Sequence, residues 1–333
     1  MNSLFLLKNG HLTYSTLRLS SSSSSSIKPS IISRIRYVLN HYWLGSKLLY
    51  RNSRFIQQIK KKNENDLTRN DQLFLKQFGY DIRVGVPFVT LFSIPILGYS
   101  APLLAILGPK YLPSTLIMPT QKIKFINEDA NVSCQIIDSF IEFNQNQFNS
   151  QTIYGMIPIT QFIDEVERSE NRYETILSSI PEYSSLFHQC YPLSLFSREH
   201  LLKLHQSVLH SSFLARYLLS SYSLESQLEM WQYRILMDDK QIKNMNKLSS
   251  YELVTSLSNR GLYLHVNEMG QVLENEQNNK LNQTKNHLEI NEKILNDWKE
   301  LLDQWIQIHF KLNQFNPIST SFLLHVPPLL VKR

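Results

Sequence analysis

The sequence predicts an all-α protein in which one apolar helix crosses a membrane and a larger helical domain follows it. Glycine is scarce, with 9 in 333 residues, whereas the tight turns of a many-stranded fold usually need more of it. Leu, Gln, Glu and Lys are abundant in the C-terminal two thirds, and these residues favour helices. An uncharged stretch of twenty-five residues runs from Val84 to Gly108, which is long enough for a membrane helix.

The net charge of +6 comes from the N-terminal part of the chain. Residues 1–63 contain eleven Lys/Arg and no acid, whereas residues 109–333 contain 20 Lys/Arg and 24 Asp/Glu. The larger domain is therefore not basic overall, and its charge gives no support to a generic nucleic-acid-binding surface. The two cysteines, Cys134 and Cys190, are too few for a disulfide framework or a four-cysteine zinc site.

Residues 1–40 are predicted to be a mitochondrial presequence. They carry five Lys/Arg, no acid and a serine run from Ser20 to Ser26, which is the composition of a transit peptide. A secretory signal needs an apolar core of at least about seven residues, and the short stretch from Leu4 to Leu7 ends at Lys8. A disordered, low-complexity tail is the alternative interpretation.

Residues 41–83 are interpreted as short amphipathic pre-membrane helices. Their basic and apolar residues suit either an anionic membrane surface or an exposed linker helix, and the sequence leaves both open. Residues 84–108 are the predicted transmembrane helix, with a buried segment of a soluble domain as the alternative. Pro87, Pro95 and Pro102 lie inside this span, where proline is tolerated and shapes the helix. The basic residues that flank the span are balanced, so they do not predict its orientation.

Residues 109–326 are predicted to be a soluble helical domain, and residues 327–333 a tail. Helical spacing covers Ala130–Phe148, Pro158–Glu167 and a segment from Ser197 to about Leu219. Apolar residues from Leu224 to Ile235 recur at steps of four, three and four, which predicts one face of a further helix.

Clear start and stop signals mark the later helices. Ser249 and Glu252 form a capping box, and this helix is expected to end at Gly261, a natural residue just past a helix. The Asn/Gln/Glu-rich segment 268–285 is interpreted as a loose insertion or a solvated helix. An apolar stripe that includes Trp298 and Trp305 predicts another helix, in which both tryptophans are expected to pack in the core. A short apolar terminus follows at 322–324.

The chain offers little that suggests catalysis or metal binding. It has no phosphate-binding glycine loop, no nucleophile elbow and no HExxH helix. His200, His205 and His210 advance by about 140° per step on a helix, so they are expected to be solvated or capping residues. Asp238 and Asp239 are interpreted as a turn that caps the next helix, or as an internal ion pair with Arg234. We predict no catalytic residue, no metal ligand and no cofactor.

The order of these features resembles the LETM family, inner-membrane proteins named for a leucine zipper, an EF-hand and a transmembrane segment. The resemblance covers roughly residues 41–324. It is carried by His41-Tyr42, Gly45, Leu48-Leu49, Leu67-Thr68-Arg69, Pro87-Phe88, Pro95, Pro102, Leu112-Pro113-Ser114-Thr115, Arg234, Asp238-Asp239-Lys240, Ile242, Leu248, Glu252-Leu253, Arg260-Gly261-Leu262 and Trp305-Ile306-Gln307-Ile308-His309.

The resemblance implies an N-terminal side in the intermembrane space and an all-helical domain in the matrix. Members are associated with mitochondrial ribosomes and protein insertion, and also with potassium/proton or calcium/proton exchange. This chain has Gly98 where better-studied members carry an acidic residue in the span, and coupled exchange normally needs an ionisable group there. It also lacks a calcium-binding EF-hand loop and a long C-terminal coiled coil. Both departures resemble the shorter LETM domain-containing branch.

We therefore expect a non-enzymatic adaptor, anchored in the mitochondrial inner membrane by a single pass, with its C-terminal domain in the matrix. Its expected partners are the lipid bilayer and the mitochondrial ribosome, through a ribosomal protein, or inner-membrane assembly factors; it could also form homo-oligomers. An antiporter or regulator of mitochondrial cation homeostasis is the alternative. The residues expected to bind partners or to structure the domain are Arg234, Asp238, Asp239, Lys240, Arg260, Gly261, Trp298 and Trp305.

Overall fold

The computed structural model describes residues 31–62, 67–93, 112–148, 156–210, 215–243, 247–282, 289–315 and 319–331. These residues are helical and contain no strand, so the predicted all-α class is confirmed. In chain order the helices of nine residues or more are α1 (Ile31–Ile59), α2 (Arg69–Ser93), α3 (Pro119–Phe148), α4 (Met156–Arg168), α5 (Arg172–Cys190), α6 (Arg198–Leu209), α7 (Ser221–Lys243), α8 (Ser250–Ser258), α9 (Val266–Asn282), α10 (Glu292–Leu312) and α11 (Thr320–Leu330). Residues His41–Arg333 form one compact unit.

One continuous apolar core holds helices α3 to α11 together. The long helix α3 contacts α6, α9 and α11, and α5 contacts α10 and α11. Trp298 and Trp305 on α10 are fully buried, so the prediction that they pack in the core is confirmed. The indole of Trp298 donates a hydrogen bond to the carbonyl of Leu264 at 2.8 Å, which satisfies its polar atom inside the core.

Local capping signals set both ends of α8 as predicted. The Ser249 hydroxyl accepts a hydrogen bond from the amide of Glu252, and the Glu252 carboxylate accepts one from the amide of Ser249. Gly261 follows the helix with φ +73°, a left-handed conformation that costs glycine little. A side chain at this position would be strained and would also approach Val208.

Two helices depart from the sequence interpretation in the middle of the domain. Helix α5, which contains Pro181, was not predicted; it begins at an Asn171 cap whose side chain accepts from the amide of Glu174. Helix α6 ends at His210, well before the predicted end near Leu219. His210 has φ 52° and its amide still bonds back into the helix, so the chain leaves the helix there.

Helix α9 and the chain end are more buried than the sequence suggested. The polar segment 268–285 was interpreted as loose or solvated, yet Met269 and Val272 are buried and α9 packs along α3. Gly270 allows this approach, since a Cβ there would lie 3.1 Å from Ile123. Helix α11 continues to Leu330, past the predicted boundary at residue 326, and its last residues are buried instead of forming a tail.

The predicted transmembrane helix over 84–108 is not confirmed. Helix α2 begins at Arg69 and continues to Ser93, so it includes Pro87 and the first part of the uncharged stretch. Pro95, Gly98 and Pro102 lie outside the described residues. Among the helices that the structure does describe, none combines the length and the apolar character needed to cross a bilayer.

Helix α1 packs against the turn at 112–118. Nε2 of His41 lies 3.2 Å from the carbonyl oxygens of both Leu116 and Ile117. One turn further along α1, Gly45 lies so close to this turn that a Cβ would stand 2.4 Å from the Thr115 carbonyl oxygen. The absence of a side chain at Gly45 therefore sets how closely α1 approaches.

The substitution Gly45→Ala tests this close packing against a matched glycine. We expect it to lower the free energy of unfolding by about 1–3 kcal/mol, the usual cost of overpacking. Gly79 lies inside α2, and a Cβ added there would meet nothing within 4 Å, so Gly79→Ala should instead stabilise by about 0.5–1 kcal/mol. Circular dichroism of both variants during denaturation measures the two changes. Equal effects of the two variants would refute the close approach.

Candidate partner-binding surface and its buried charge network

A buried network of charged side chains joins four helices of the unit. Asp238 and Asp239 are consecutive residues of α7, Arg260 follows α8, and His309 lies on α10. Arg260 and Asp239 are completely inaccessible to solvent. Arg69, at the start of α2, completes the network.

Arg260 lies at the centre of the network. Its Nε donates to Oδ1 of Asp239 at 2.9 Å, and its Nη2 donates to Oδ2 of Asp238 at 2.8 Å and also to Asp239. Its Nη1 donates to the carbonyl oxygen of Ser256 at 2.7 Å. On the other side of Asp239, Nδ1 of His309 lies 2.5 Å from Oδ2. Each donor nitrogen of Arg260 therefore has an acceptor, which a buried guanidinium requires.

Arg69 binds Asp238 through two parallel hydrogen bonds. Its Nε donates to Oδ1 at 2.8 Å, and its Nη2 donates to Oδ2 at 3.1 Å. Nη2 also lies 3.2 Å from the hydroxyl of Ser256. This two-pronged geometry is the strongest pairing between arginine and a carboxylate. It attaches the start of α2 to α7 and α8.

Charged neighbours favour the charged forms of Asp238 and Arg260. Burial by itself would raise the pKa of Asp238, but the hydrogen bond from Arg69 and the charge of Arg260 outweigh it and keep that pKa below its ordinary value. Burial would lower the pKa of Arg260, yet the adjacent charges of Asp239 and Asp238 outweigh it, so that pKa is raised. Asp238 and Arg260 are therefore held in their charged forms.

The structure corrects the interpretation of the two aspartates. Asp238 and Asp239 lie inside α7 and not at a turn that caps the next helix. Arg234 is exposed on the outer side of α7, and the arginines that bind the aspartates are Arg69 and Arg260. Sequence reasoning omitted Arg69 and His309 from the candidate site, although both lie in segments that carry the LETM resemblance.

The three spaced histidines also differ from expectation. His200 and His205 are buried, so the prediction that they are solvated is wrong. His210 does lie at the end of α6, and its Nδ1 is 2.7 Å from Oδ2 of Asp129. Within the described part of the chain, no group of three or more His, Cys, Asp or Glu is arranged to hold a metal ion.

The comparison with protein families shows to which family the chain belongs. A family model described as LETM1-like, RBD, matches residues 67–328, which include every member of the charge network and most of the chain. This protein belongs to the LETM1-like family. The comparisons with curated proteins and with solved structures gave no match. The shorter branch of the LETM family, without an EF-hand, stays a prediction.

The outer side of α7 is an exposed surface on a helix that carries part of the network of this LETM1-like domain. We define the α7 outer face as Tyr222, Met230, Tyr233, Arg234, Met237 and Lys240, all exposed. Ser226, Glu229, Met230, Tyr233 and Arg234 line a shallow depression on it. The inner side of the same helix is buried through Leu224, Leu228, Trp231, Ile235 and Asp239. The LETM1-like core thus fixes α7 from within and leaves this face accessible.

Proposed function

We propose that this protein is a mitochondrial inner-membrane adaptor whose helical domain binds the mitochondrial ribosome in the matrix. The description of the matching family model names a ribosome-binding domain, and the uncharged stretch at 84–108 offers the apolar residues for an anchor. The observation that carries the proposal is the α7 outer face. It is the surface through which we expect the domain to bind its partner.

The composition of this face is that of a protein-binding surface. Tyrosine, methionine and arginine are enriched at interfaces, and tyrosine and arginine are frequent among the residues that supply most of the binding energy. Tyr222 is 81% exposed and Tyr233 is 67% exposed, so both rings would gain burial on contact with a partner. Met230 and Met237 add flexible apolar side chains that adapt to the shape of a partner.

The charges on the face favour a ribosomal protein over ribosomal RNA as the contact. Arg234 and Lys240 are cations, but Glu229 is exposed beside them. A surface that binds phosphates is normally enriched in cations only, whereas mixed charge suits a protein partner. The balance of 20 Lys/Arg against 24 Asp/Glu in residues 109–333 points the same way.

Co-sedimentation of the full chain with mitochondrial ribosomes tests the proposal. We expect Tyr233→Ala and Arg234→Glu each to weaken binding, and their combination to cost at least about 2 kcal/mol, the threshold of an interface hot spot and roughly a thirtyfold loss of affinity. Arg168→Glu is the matched control, since Arg168 is exposed on α4 and its substitution changes the charge equally.

The control variant should bind as the unaltered chain does. Equal binding by all variants would remove the α7 outer face from the proposal. Failure of the unaltered chain to sediment with ribosomes would refute ribosome binding itself. Capture of the chain by protein-free ribosomal RNA would contradict the assignment of a ribosomal protein as the contact.

A further inference from the structure

We propose that the outward side of α1 is a docking surface for an anionic phospholipid membrane; this rests on the membrane anchoring proposed above. We define the basic–aromatic face as Trp43, Lys47, Tyr50, Arg54 and Lys61. These residues are exposed and follow one another at steps of four, three, four and seven, so they form one stripe along the helix and its last turn.

The opposite side of α1 packs against the rest of the unit. His41, Gly45, Leu48, Ile56 and Ile59 recur on that side and are buried. The basic–aromatic face therefore cannot turn inward without breaking these contacts. A helix that is apolar toward its own domain normally presents a polar, solvated side to water. Here the outward side also carries the large aromatic rings of Trp43 and Tyr50, and contact with water alone does not explain their exposure.

Cations and aromatic rings alternate on the face and contact each other. Nζ of Lys47 lies 4.9 Å from the centre of the Trp43 ring, and the guanidinium of Arg54 lies 5.0 Å from the Tyr50 ring. Nη2 of Arg54 also donates to the Tyr50 hydroxyl at 2.9 Å. Tryptophan and tyrosine favour the level of lipid headgroups, where one part of the ring is apolar and the other is wet. Lysine and arginine beside them bind headgroup phosphates.

The charge of the helix is of one sign. The sequence of α1 contains no Asp or Glu, and Lys60 and Lys61 extend its basic character past the last turn. Arg51 is turned back to the domain, where it donates to the carbonyl of Lys280 at 3.2 Å. The cations of the basic–aromatic face point away from the unit and complement a negatively charged surface.

The position of α1 favours a membrane over an RNA as the occupant. Gly45 contacts the turn at Thr115, and Leu49 lies near Gly85. Gly85 is the second residue of the uncharged stretch, and Thr115 follows the end of that stretch by seven residues. The basic–aromatic face is thus on the helix next to the place where the proposed anchor leaves the described unit. A lipid surface beside the proposed anchor is therefore the occupant that we infer, although stacked bases could use the same side chains.

Trp43 provides a direct optical test. Of the four tryptophans, Trp231, Trp298 and Trp305 are buried, whereas Trp43 is 62% exposed. The full chain is added to phosphatidylcholine–phosphatidylglycerol vesicles whose acyl chains carry bromine, a fluorescence quencher. The difference between the unaltered chain and Trp43→Phe isolates the Trp43 signal. We expect Trp43 emission to shift to the blue and to be quenched, and phosphatidylcholine alone to give much less quenching.

A charge-neutral variant tests the role of the cations. The combination Lys47→Gln, Arg54→Gln, Lys60→Gln and Lys61→Gln removes the three cations of the face and the neighbouring exposed Lys60, and it should lose most of the quenching. The control combination Lys124→Gln, Arg168→Gln, Lys293→Gln and Lys299→Gln removes the same charge from exposed positions on α3, α4 and α10, and it should keep the quenching.

Flotation of the same samples separates the two levels of the proposal. Vesicles that float with the chain but leave Trp43 unquenched would overturn the docking surface and leave the anchor standing. A chain that does not float at all would overturn both. Quenching that survives loss of the four cations, or protection of Trp43 by an RNA oligonucleotide but not by vesicles, would also overturn the membrane surface.

Discussion

Arg260→Leu is expected to lower the free energy of unfolding by about 3–5 kcal/mol, because it leaves the buried carboxylate of Asp239 without its arginine counter-ion. Asp239 would keep only His309 as a partner, and Asp238 would keep only Arg69. Water cannot replace Arg260 as the partner of the Asp239 carboxylate, because Asp239 is fully buried and lies within a helix. This is the largest effect that we expect from any single substitution in the domain.

Chemical denaturation followed by circular dichroism measures this loss. Arg234→Leu is the matched control, because it makes the same replacement at an exposed position on a neighbouring helix; such changes are usually within about 0.5 kcal/mol. If Arg260→Leu does not fold, Arg69→Leu provides a second measurement, since it removes the other partner of Asp238. A loss below about 1 kcal/mol for both variants, far under the usual cost of breaking a buried pair, would mean that the network contributes little to the fold.

Acid is expected to destabilise the domain through a pair of buried histidines. Nε2 of His200 lies 2.9 Å from Nε2 of His325, and Nδ1 of His325 lies 2.7 Å from the Ser321 carbonyl oxygen. A carbonyl accepts only, so Nδ1 of His325 carries the proton and its Nε2 accepts from His200. Nδ1 of His200 then accepts from the Ser139 hydroxyl, 3.1 Å away. This hydrogen-bond pattern satisfies both rings in their neutral forms.

The direction of the pH effect follows from burial. Burial lowers the pKa of His325 to about 4, and burial together with the neighbouring His325 lowers the pKa of His200 well below its ordinary value. In the unfolded chain both histidines have the ordinary pKa of about 6.5, so they take up protons as the pH falls below that value. The stability is therefore fully present above about pH 6.5 and is lost as the pH falls toward 4. His325 alone should account for about 3 kcal/mol of this loss.

Unfolding measured at several pH values between these limits tests the prediction. The double substitution His200→Phe and His325→Leu should flatten the pH dependence, since it removes both groups from the aromatic cluster around Phe140. His188→Gln, at an exposed position on α5, should leave the dependence unchanged. A double variant as acid-sensitive as the unaltered chain would assign the effect to other groups.

Local rules predicted the parts of the fold that depend on neighbouring residues. The Ser249–Glu252 capping box, the turn at Gly261 and the apolar stripe with Trp298 and Trp305 each involve residues within one or two helical turns. Their chemistry is complete in the sequence, and the structure confirms them. The all-α class follows from the same local preferences.

The charge network and the histidine pair could not be predicted in this way. Arg69 and Asp238 are 169 residues apart in sequence, and His200 and His325 are 125 apart. A spacing argument tests only whether side chains share one helix face, so it could exclude a metal site along α6 but could not find a partner on α11. Helix α9 was predicted to be loose or solvated because its composition is polar, but one side of it packs on α3 through Gly270.

The contacts of α1 and α2 with the rest of the unit also link the two candidate binding surfaces. Oδ1 of Asp81 on α2 accepts a hydrogen bond from the amide of Ser114 at 2.7 Å, so the described residues on the two sides of the uncharged stretch are in direct contact. The basic–aromatic face and the α7 outer face both belong to the unit His41–Arg333. A partner bound at one face is therefore carried by the same body as a partner bound at the other.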